Sequence, residues 1–508
     1  MSDQTTSRRV GMISLGCPKN RVDSEVMLGE LAEHGYDVVN DLSRADTVIV
    51  NTCGFIDEAK QESIDTILEI ADAKGRGEVQ RLVVAGCMVN RYGQELSETI
   101  PEIDAFVGLD DLAKVAALAG GPGGAATAEN QPGGSGGPAT AEGQPGGSRP
   151  SQSSDETLVQ LGGGGPAPPS PAHLVFDHTA PRMLTTRGYA YLKVAEGCNN
   201  PCTFCAIPHW RGRFRSRTIE SLVTEAKKLE QQGVAELCLI AQDTTRYGED
   251  LGLGKHGLTR LAEALLEGTD IPWVRFLYAY PTTLDTELMA LMGREERFCS
   301  YIDMPLQHSH PEMLKAMRRG GRATTYLRQL AKARELAPDV FLRTTFIVGF
   351  PGETEEHFEH LLDFVRQARF DHLGAFAYSP EPDTPAAELS GRVPKSTARR
   401  RYERLLEVQE PIARERRQRL VGRTLRVLVE GVHPETEHLL VGRHHGMAPE
   451  IDGQVLINDG QAPAGTFADV EISDAYADDV VGHVVGPVGA PGVIPAEAAL
   501  EAAAVEAS

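Results

Sequence analysis

Short runs of apolar residues alternate with amphipathic stretches over the first 117 residues of the chain. The apolar runs predict strands, and the stretches between them have the spacing of helices. The predicted strands are Val10–Leu15, Thr47–Val50 and Leu82–Ala85, and the predicted helices are Ser24–His34 and Asp57–Ala73. This alternation indicates a parallel sheet with helices on its faces.

The same alternation returns from residue 185 to about residue 417, with six apolar runs. The predicted strands are Ala190–Glu196, Glu236–Ala241, Trp273–Tyr280, Tyr301–Pro305, Leu342–Val348 and Leu373–Tyr378. Six β/α units predict a partial barrel of the TIM type. In such barrels the chemistry takes place at the carboxyl ends of the strands.

The remaining segments have a different composition. Residues 419–487 contain short apolar runs separated by Gly, Asp and Pro, which predicts a small antiparallel β-barrel. Residues 118–172 are rich in Gly, Pro, Ala and Ser, and the segment Ala125–Ser135 recurs almost verbatim at Pro138–Ser148. Such a composition buries too little apolar surface to offset its ordering entropy. We therefore expect an α/β chain with domains at 1–117, 184–418 and 419–487, a disordered linker at 118–172 and a tail at 488–508.

Three cysteines, Cys198, Cys202 and Cys205, lie within eight residues at the spacing C-x3-C-x2-C. Thiolates this close converge on one metal centre, and the spacing suits an iron–sulfur cluster. A 4Fe-4S cluster with three protein thiolates leaves one iron open to bind a substrate. The alternative is a zinc ion with His209 as the fourth ligand.

A second set of cysteines is dispersed. Cys17, Cys53 and Cys87 each follow a predicted strand directly. The carboxyl ends of parallel strands lie side by side, so these three thiols could meet at one point and hold a second cluster. The alternative is three buried thiols that fill the core. Cys238 and Cys299 lie within or beside predicted core strands, and we expect them to be packing residues.

Charge and cysteine usage narrow the class of function. The chain has 50 Lys and Arg against 72 Asp and Glu, a net charge of −22. So acidic a protein does not rely on bulk attraction to nucleic acid, and a basic protein partner suits it better. Eight cysteines grouped in this way indicate metal binding in a reducing compartment. The sequence has no signal-type start and no apolar run of about 18 residues, so we expect a soluble, cytoplasmic protein without a membrane partner.

These motifs resemble those of the methylthiotransferases, radical S-adenosylmethionine (SAM) enzymes that join a three-cysteine domain, a radical SAM barrel and a TRAM domain. One branch of that family modifies adenosine in transfer RNA, and another modifies an aspartate of ribosomal small-subunit protein twelve. Four segments resemble the second branch: Gly16–Glu25, Glu196–Cys198, Gln242–Gly248 and Ala448–Gly453. After Cys17 this chain has Pro-Lys-Asn, where the transfer RNA branch typically has Gln-Met-Asn.

The resemblance implies conversion of that aspartate to 3-methylthio-aspartate, with two SAM molecules and an inserted sulfur. It implies two 4Fe-4S clusters, a radical SAM cluster on Cys198, Cys202 and Cys205 and an auxiliary cluster on Cys17, Cys53 and Cys87. A one-electron reductant such as flavodoxin or ferredoxin is the implied partner besides the ribosomal protein, and we expect a monomer. A transfer RNA adenosine methylthiotransferase and a non-enzymatic metal-binding module are the alternatives.

The resemblance also implies contacts to SAM, for which the candidates are Phe204, Gln242, Asp243, Gln307, Arg343 and Gly349. Each has a plainer alternative, such as shielding of the cluster for Phe204 or an ordinary turn for Gln242 and Asp243. The alternating arginines from Arg211 to Arg217 could hold a carboxylate of SAM or of the substrate, or form a solvated basic strip. The run Lys315–Arg322 is more typical of a solvated helix end.

The charge of the predicted C-terminal barrel bears on the choice between the two branches. Residues 419–487 contain four Lys or Arg and eleven Asp or Glu, a balance of −7. A surface of this charge is unfavourable for RNA phosphates and favourable for a basic ribosomal protein.

Overall fold

The computed structural model describes residues 8–54, 57–120 and 176–486. The predicted tail at 488–508 and all but the first three residues of the predicted linker at 118–172 lie outside the described residues. Among the described residues, no helix combines the length and the hydropathy needed to span a membrane.

The N-terminal domain is a five-stranded parallel sheet with the strand order β2-β1-β3-β4-β5. Its elements are β1 (Arg9–Ser14), α1 (Pro18–Glu33), β2 (Asp37–Val38), β3 (Thr47–Thr52), α2 (Asp57–Gly75), β4 (Arg81–Gly86), α3 (Cys87–Thr99), β5 (Ala105–Val107) and α4 (Val115–Ala119). Alternate residues of β3 enter separate cores on the two faces, with Val48 and Val50 on one and Ile49 on the other. The predicted parallel sheet is confirmed, and α1 begins earlier than predicted, at Pro18, a residue that suits the first helical turn.

The central domain contains six parallel strands in two three-stranded sheets, β6-β9-β10 and β11-β12-β13. Its elements up to β10 are β6 (Tyr189–Lys193), β7 (Ala195–Glu196), α5 (Ile207–Arg211), β8 (Arg215–Ser216), α6 (Ile219–Gln231), β9 (Glu236–Ile240), α7 (Gly257–Gly268) and β10 (Trp273–Phe276). The rest are α8 (Thr286–Arg294), β11 (Tyr301–Asp303), α9 (Pro311–Ala316), α10 (Ala323–Leu336), β12 (Phe341–Val348), α11 (Glu355–Ala368), β13 (His372–Ala377) and α12 (Lys395–Gln418). A bridge between Val274 of β10 and Phe298, three residues before β11, links the two sheets, which gives the predicted partial barrel.

The C-terminal domain is a closed five-stranded barrel with the order β14-β15-β16-β18-β17. Its strands are β14 (Thr424–His433), β15 (Thr436–His444), β16 (Val455–Asp459), β17 (Phe467–Ala475) and β18 (Val480–Val484). The barrel is antiparallel, as predicted, except where β18 lies parallel to β16. This exception arises because β17 pairs antiparallel with β14, so β18 returns between β17 and β16 in the direction of β16.

The C-terminal barrel packs against the amino ends of the strands of the partial barrel. Arg443 forms a buried ion pair with Glu236 at the start of β9, with 2.7 Å between Nη2 and Oε2. The Tyr301 hydroxyl, at the start of β11, donates to Asp452 Oδ2 at 2.6 Å. This placement leaves the carboxyl ends of the strands, where the chemistry of such barrels takes place, to face the N-terminal domain.

Candidate metal centres between the first two domains

The three dispersed cysteines lie at the carboxyl edge of the N-terminal sheet. Cys17 directly precedes α1, Cys53 directly follows β3, and Cys87 is the first residue of α3. The strands β1, β3 and β4 are neighbours in the sheet, so the three residues share one edge. A Cβ on Gly16, which has a φ of +87°, would lie 2.6 Å from Cys53 Cβ and 3.0 Å from its Sγ. The loops that carry the first two thiols are therefore in contact, and they require glycine there.

A buried asparagine holds this edge together. Asn20 Nδ2 donates to the carbonyl oxygens of Leu15 at 3.1 Å and Thr52 at 2.7 Å, and its Oδ1 lies 3.6 Å from Cys87 Sγ. The side chain of one residue of α1 thus contacts all three cysteine-bearing loops.

The clustered cysteines lie in the loop between β7 and α5, which is fixed by hydrogen bonds to other segments. The Cys198 N–H donates to the Gly212 carbonyl at 3.1 Å, and the Thr203 N–H donates to the Met317 carbonyl at 3.1 Å. Asn200 Nδ2 donates to Asp243 Oδ2 at 2.7 Å. These bonds tie the loop to the residues that directly follow α5 and α9 and to the segment after β9.

Burial keeps three of these thiols protonated until a metal displaces the proton. It raises the pKa of Cys205 to about 12 and also raises the pKa of Cys87 and of Cys198. Binding of a cluster releases these protons, because the ligand is the thiolate. Each set of three thiols lies on a fixed sheet edge or in a fixed loop. Cysteine thiolates are the usual ligands of iron–sulfur clusters, so the residues present fit such clusters.

The zinc alternative fits less well. A tetrahedral zinc ion with Zn–S distances of about 2.3 Å draws its sulfur ligands to within about 4 Å of each other. In the described part of the chain, the sets of three metal-binding side chains that lie within 4.8 Å of one another contain only histidines and carboxylates. His209, the predicted fourth ligand, is exposed on α5.

A buried network of charges joins the two sites. Lys193 at the end of β6 donates to Asp23 Oδ1 at 2.5 Å and to Glu196 Oε2 at 2.9 Å. Arg211 Nη1 donates to the same Glu196 oxygen at 3.0 Å, and its Nη2 lies 3.2 Å from Asp23 Oδ2. Burial alone would raise the pKa of Glu196, but Arg211 and Lys193 outweigh it and lower that pKa to about 2. The Glu196 carboxylate therefore stays ionised between the two cations.

Most of the predicted SAM contacts lie near the clustered cysteines. Gln242 Nε2 donates to Glu196 Oε1 at 2.7 Å, while its Oε1 is buried without a hydrogen-bond partner in the described residues. Asp243 is buried beside Asn200, and burial raises the pKa of its carboxyl. Phe204 packs against an apolar group that includes Met317 and Phe350.

The other three predicted contacts differ from one another. Gln307 has a φ of +70°, a conformation that is uncommon outside glycine and often marks a functional site. Gly349 has a structural requirement, because a Cβ there would lie 2.4 Å from Ala398 Cβ. Arg343 lies near the start of β12 and pairs with Asp303 at 3.0 Å and Asp452 at 3.4 Å. The structure does not bring it to the carboxyl ends of the strands with the others.

Sequence reasoning did not predict the contacts that three buried or half-buried cations make at this interface. Arg211 contacts Cys87, and Arg319 contacts Cys202, with 3.5 Å from Nη1 to Sγ. Lys19 Nζ lies 3.4 Å from the centre of the Tyr278 ring. Lys19 lies within Gly16–Glu25, a segment that resembles the methylthiotransferases, whereas each arginine lies in a run of basic residues in which nothing distinguishes it from its neighbours.

Comparison with protein families divides the chain in the same way. A model described as uncharacterized protein family UPF0004 matches residues 9–108, the radical SAM superfamily matches residues 192–365, and the TRAM domain matches residues 421–485. Among solved structures, the radical SAM methyltransferase TsrM from Kitasatospora setae, with cobalamin and a [4Fe-4S] cluster bound, has a TM-score of 0.52 at 16% identity. That match covers 75% of this chain and 77% of TsrM, and it shows a shared fold.

Several relatives are similar to this chain over nearly its whole length. The ribosomal protein uS12 methylthiotransferases RimO of Koribacter versatilis and Myxococcus xanthus are 44% and 43% identical to this chain. The alignments cover 95% of this chain in both cases, and 97% and 93% of the relatives. The RimO of Anaeromyxobacter sp. (strain K) is 46% identical over 94% of this chain and 93% of its own length.

The fold and the sites define a radical SAM enzyme with a UPF0004 domain and a TRAM domain, and membership of that superfamily implies a 4Fe-4S cluster and SAM. The chain belongs to the RimO family of radical SAM methylthiotransferases, which confirms the predicted class of enzyme.

Proposed function

We propose that this chain transfers a methylthio group to an aspartate of ribosomal protein uS12, giving 3-methylthio-aspartate. The observation that carries the proposal is the 44% identity, over 95% of the chain, to a uS12 methylthiotransferase. The placement of two three-cysteine sets on facing edges of two domains supports the reaction type, because the inserted sulfur and the radical must meet at one substrate atom.

Cys198, Cys202 and Cys205 would hold the radical SAM 4Fe-4S cluster, and Cys17, Cys53 and Cys87 an auxiliary 4Fe-4S cluster. When bound, the first cluster would supply the electron for reductive cleavage of SAM, and the second would supply a site for sulfur transfer. A reductant of the flavodoxin or ferredoxin type would provide that electron.

The chain's own residues would bind and orient SAM. The buried Gln242 Oε1 is an acceptor that lacks a partner in the described residues, and the SAM ammonium group is a donor that suits it. Asp243, held by Asn200 at 2.7 Å, and Gln307 are further candidates at the same ends of the strands. Phe204 and the apolar group around Met317 would exclude water beside the cysteine loop, which protects a radical from side reactions.

The C-terminal barrel would hold the basic substrate. Asp469, Glu471 and Asp474 are exposed on β17, and we call these three residues the acidic face. A basic ribosomal protein is attracted to such a surface, and RNA phosphates are repelled by it. We further propose that the enzyme acts in the cytoplasm, on uS12 alone or in the small subunit, and as a monomer.

A competition experiment with two candidate substrates tests this proposal. The full chain, reconstituted with iron and sulfide under anaerobic conditions, is incubated with SAM, a reductant and equal amounts of uS12 and transfer RNA. The proposal predicts a methylthio group on uS12 by mass spectrometry and an unmodified transfer RNA. A methylthio group on adenosine with unmodified uS12 would overturn it in favour of a transfer RNA methylthiotransferase.

A further inference from the structure

Arg211 belongs to one domain and contacts the cysteine set of the other. It is the last residue of α5 and follows the loop that carries Cys198, Cys202 and Cys205. Its guanidinium crosses the interface, where Nη2 lies 3.3 Å from Cys87 Sγ and donates to Asn20 Oδ1 at 2.9 Å. Only 5% of this side chain is exposed.

The partners of Arg211 fix its position. Glu196 and Asp23, both buried, accept from Nη1 at 3.0 Å and from Nη2 at 3.2 Å. Lys193 neutralises part of the charge of the same two carboxylates. An arginine stays protonated, and its planar fork cannot turn away from Cys87 without breaking these bonds. The contact to the sulfur is therefore held from both domains.

The same chain segment also holds the other cysteine set. Gly212, which follows Arg211, accepts the Cys198 N–H at 3.1 Å. A movement of the Cys198 loop thus moves the residue that contacts Cys87. The two cysteine sets are linked through adjacent residues of one chain segment.

A cation that donates to a cluster sulfur changes the reduction potential of that cluster. Reduction adds a negative charge, and a hydrogen bond and a nearby positive charge stabilise the reduced form more than the oxidised form. The effect is larger in a buried site, where solvent screens charge poorly. The distance of 3.3 Å and the burial of Arg211 meet both conditions.

We infer that Arg211 is a positioning residue that raises the reduction potential of the auxiliary cluster and couples that cluster to the radical SAM loop. The inference rests on the proposed assignment of Cys17, Cys53 and Cys87 as ligands of that cluster.

Two other arginines provide matched controls. Arg319 stacks on the Tyr280 ring at 4.0 Å and contacts Cys202 of the clustered set. Arg217 is buried like Arg211, but it pairs with Glu225 at 2.6 Å and donates to the Lys193 carbonyl and the Ser221 hydroxyl. Arg319 thus reports on the other cluster, and Arg217 reports on the loss of a buried ion pair alone.

The test is a potentiometric titration of the reconstituted full chain, followed by electron paramagnetic resonance, for the wild type, R211K, R211Q, R217K and R319Q. The same titration of a chain in which Ala replaces Cys198, Cys202 and Cys205 identifies the resonance signal of the auxiliary cluster. We expect R211Q to lower the auxiliary potential most, R211K to lower it less, and R217K and R319Q to leave it unchanged.

An R211Q enzyme that binds both clusters with the auxiliary potential of the wild type would overturn this inference and leave the proposed function intact. If R211Q fails to assemble the auxiliary cluster, R211K takes its place in the test, because lysine keeps the positive charge but lacks the planar fork of the guanidinium. An R211K potential equal to that of the wild type would then overturn the inference. A wild-type chain that binds iron at only one cysteine set would overturn the cluster assignment itself.

Discussion

Asp23 on α1 and Lys193 at the end of β6 form a buried ion pair between the first two domains, with 2.5 Å between Oδ1 and Nζ. Arg211 shares the same carboxylate. The interface that brings the two cysteine sets together is thus held by charges that are excluded from solvent.

Removing one partner of this pair should destabilise the apoprotein. D23N leaves Lys193 and Arg211 buried with less compensating charge, and breaking a buried pair in this way costs about 3–5 kcal/mol. Urea unfolding of the iron-free chain measures the loss. D46N is the control, because its ion pair with Arg9 is partly exposed and is worth about 0–1 kcal/mol. Equal effects of the two changes would contradict the structure of the interface.

Acid should loosen the contact between the C-terminal barrel and the partial barrel of the central domain. Burial, and then Arg275, lowers the pKa of His445 to about 4, and burial also lowers the pKa of His372 and His444. The unfolded chain therefore binds more protons than the folded chain between about pH 4 and 6.5, so stability rises with pH in this window and falls as the pH drops through it.

The His445 contribution is about 1–3 kcal/mol over that window, since its ring is not fully enclosed. Amide hydrogen exchange in β14 and β15 at neutral pH and at about pH 5 measures the effect. H445Q should reduce the difference between the two pH values, and H438Q, at an exposed histidine, should not. An unchanged difference in H445Q would show that His445 does not titrate in this range.

The two cysteine sets should differ in their effects on SAM. Cys87→Ala should leave reductive cleavage of SAM and stop methylthiolation, whereas Cys202→Ala should abolish both, because only the second change removes a proposed ligand of the SAM-binding cluster. Release of 5′-deoxyadenosine and the mass of uS12 measure the two activities. Cys299→Ala, in the buried core, is the control and should keep both. Loss of cleavage in a folded Cys87→Ala enzyme would reverse the assigned roles.

The acidic face should control association with uS12. E471K/D474K reverses two charges of that face, so binding should become slower, and the wild-type rate should fall as salt rises, because charges are screened beyond about 8–10 Å. Surface plasmon resonance at several salt concentrations measures the rates. E62K/D65K makes the same change of charge on the exposed side of α2 and should have little effect. Equal slowing by both variants would mean that net charge, and not this face, guides the substrate.

Much of the fold is visible in the sequence because each domain repeats a local pattern. Strand limits were less predictable where a backbone turn depends on tertiary contacts. Tyr278 was predicted to lie in a strand, but it adopts a φ of +65° beside Lys19, and β10 ends at Phe276. The strands β2 and β5 have two and three residues, which is too few to show the alternation of apolar and polar residues that predicts a strand.

The cysteine sets were predictable as candidates because each lies at a strand end or in a short motif. The contacts of the arginines with these cysteines were not predictable. Arg211 and Cys87 are 124 residues apart, and their contact exists only after two domains have docked. Arg211 was predicted to bind a carboxylate of SAM or the substrate, or to be solvated; its carboxylate partners are instead Glu196 and Asp23 of the chain itself.

The most direct test of the central claim is the mass of uS12 from cells that lack the gene for this chain. The account predicts that uS12 loses one methylthio group, that the wild-type gene restores it, and that a gene with Cys87→Ala or Cys202→Ala does not. A uS12 of unchanged mass in the deletion strain, with the methylthio group missing from transfer RNA instead, would contradict it.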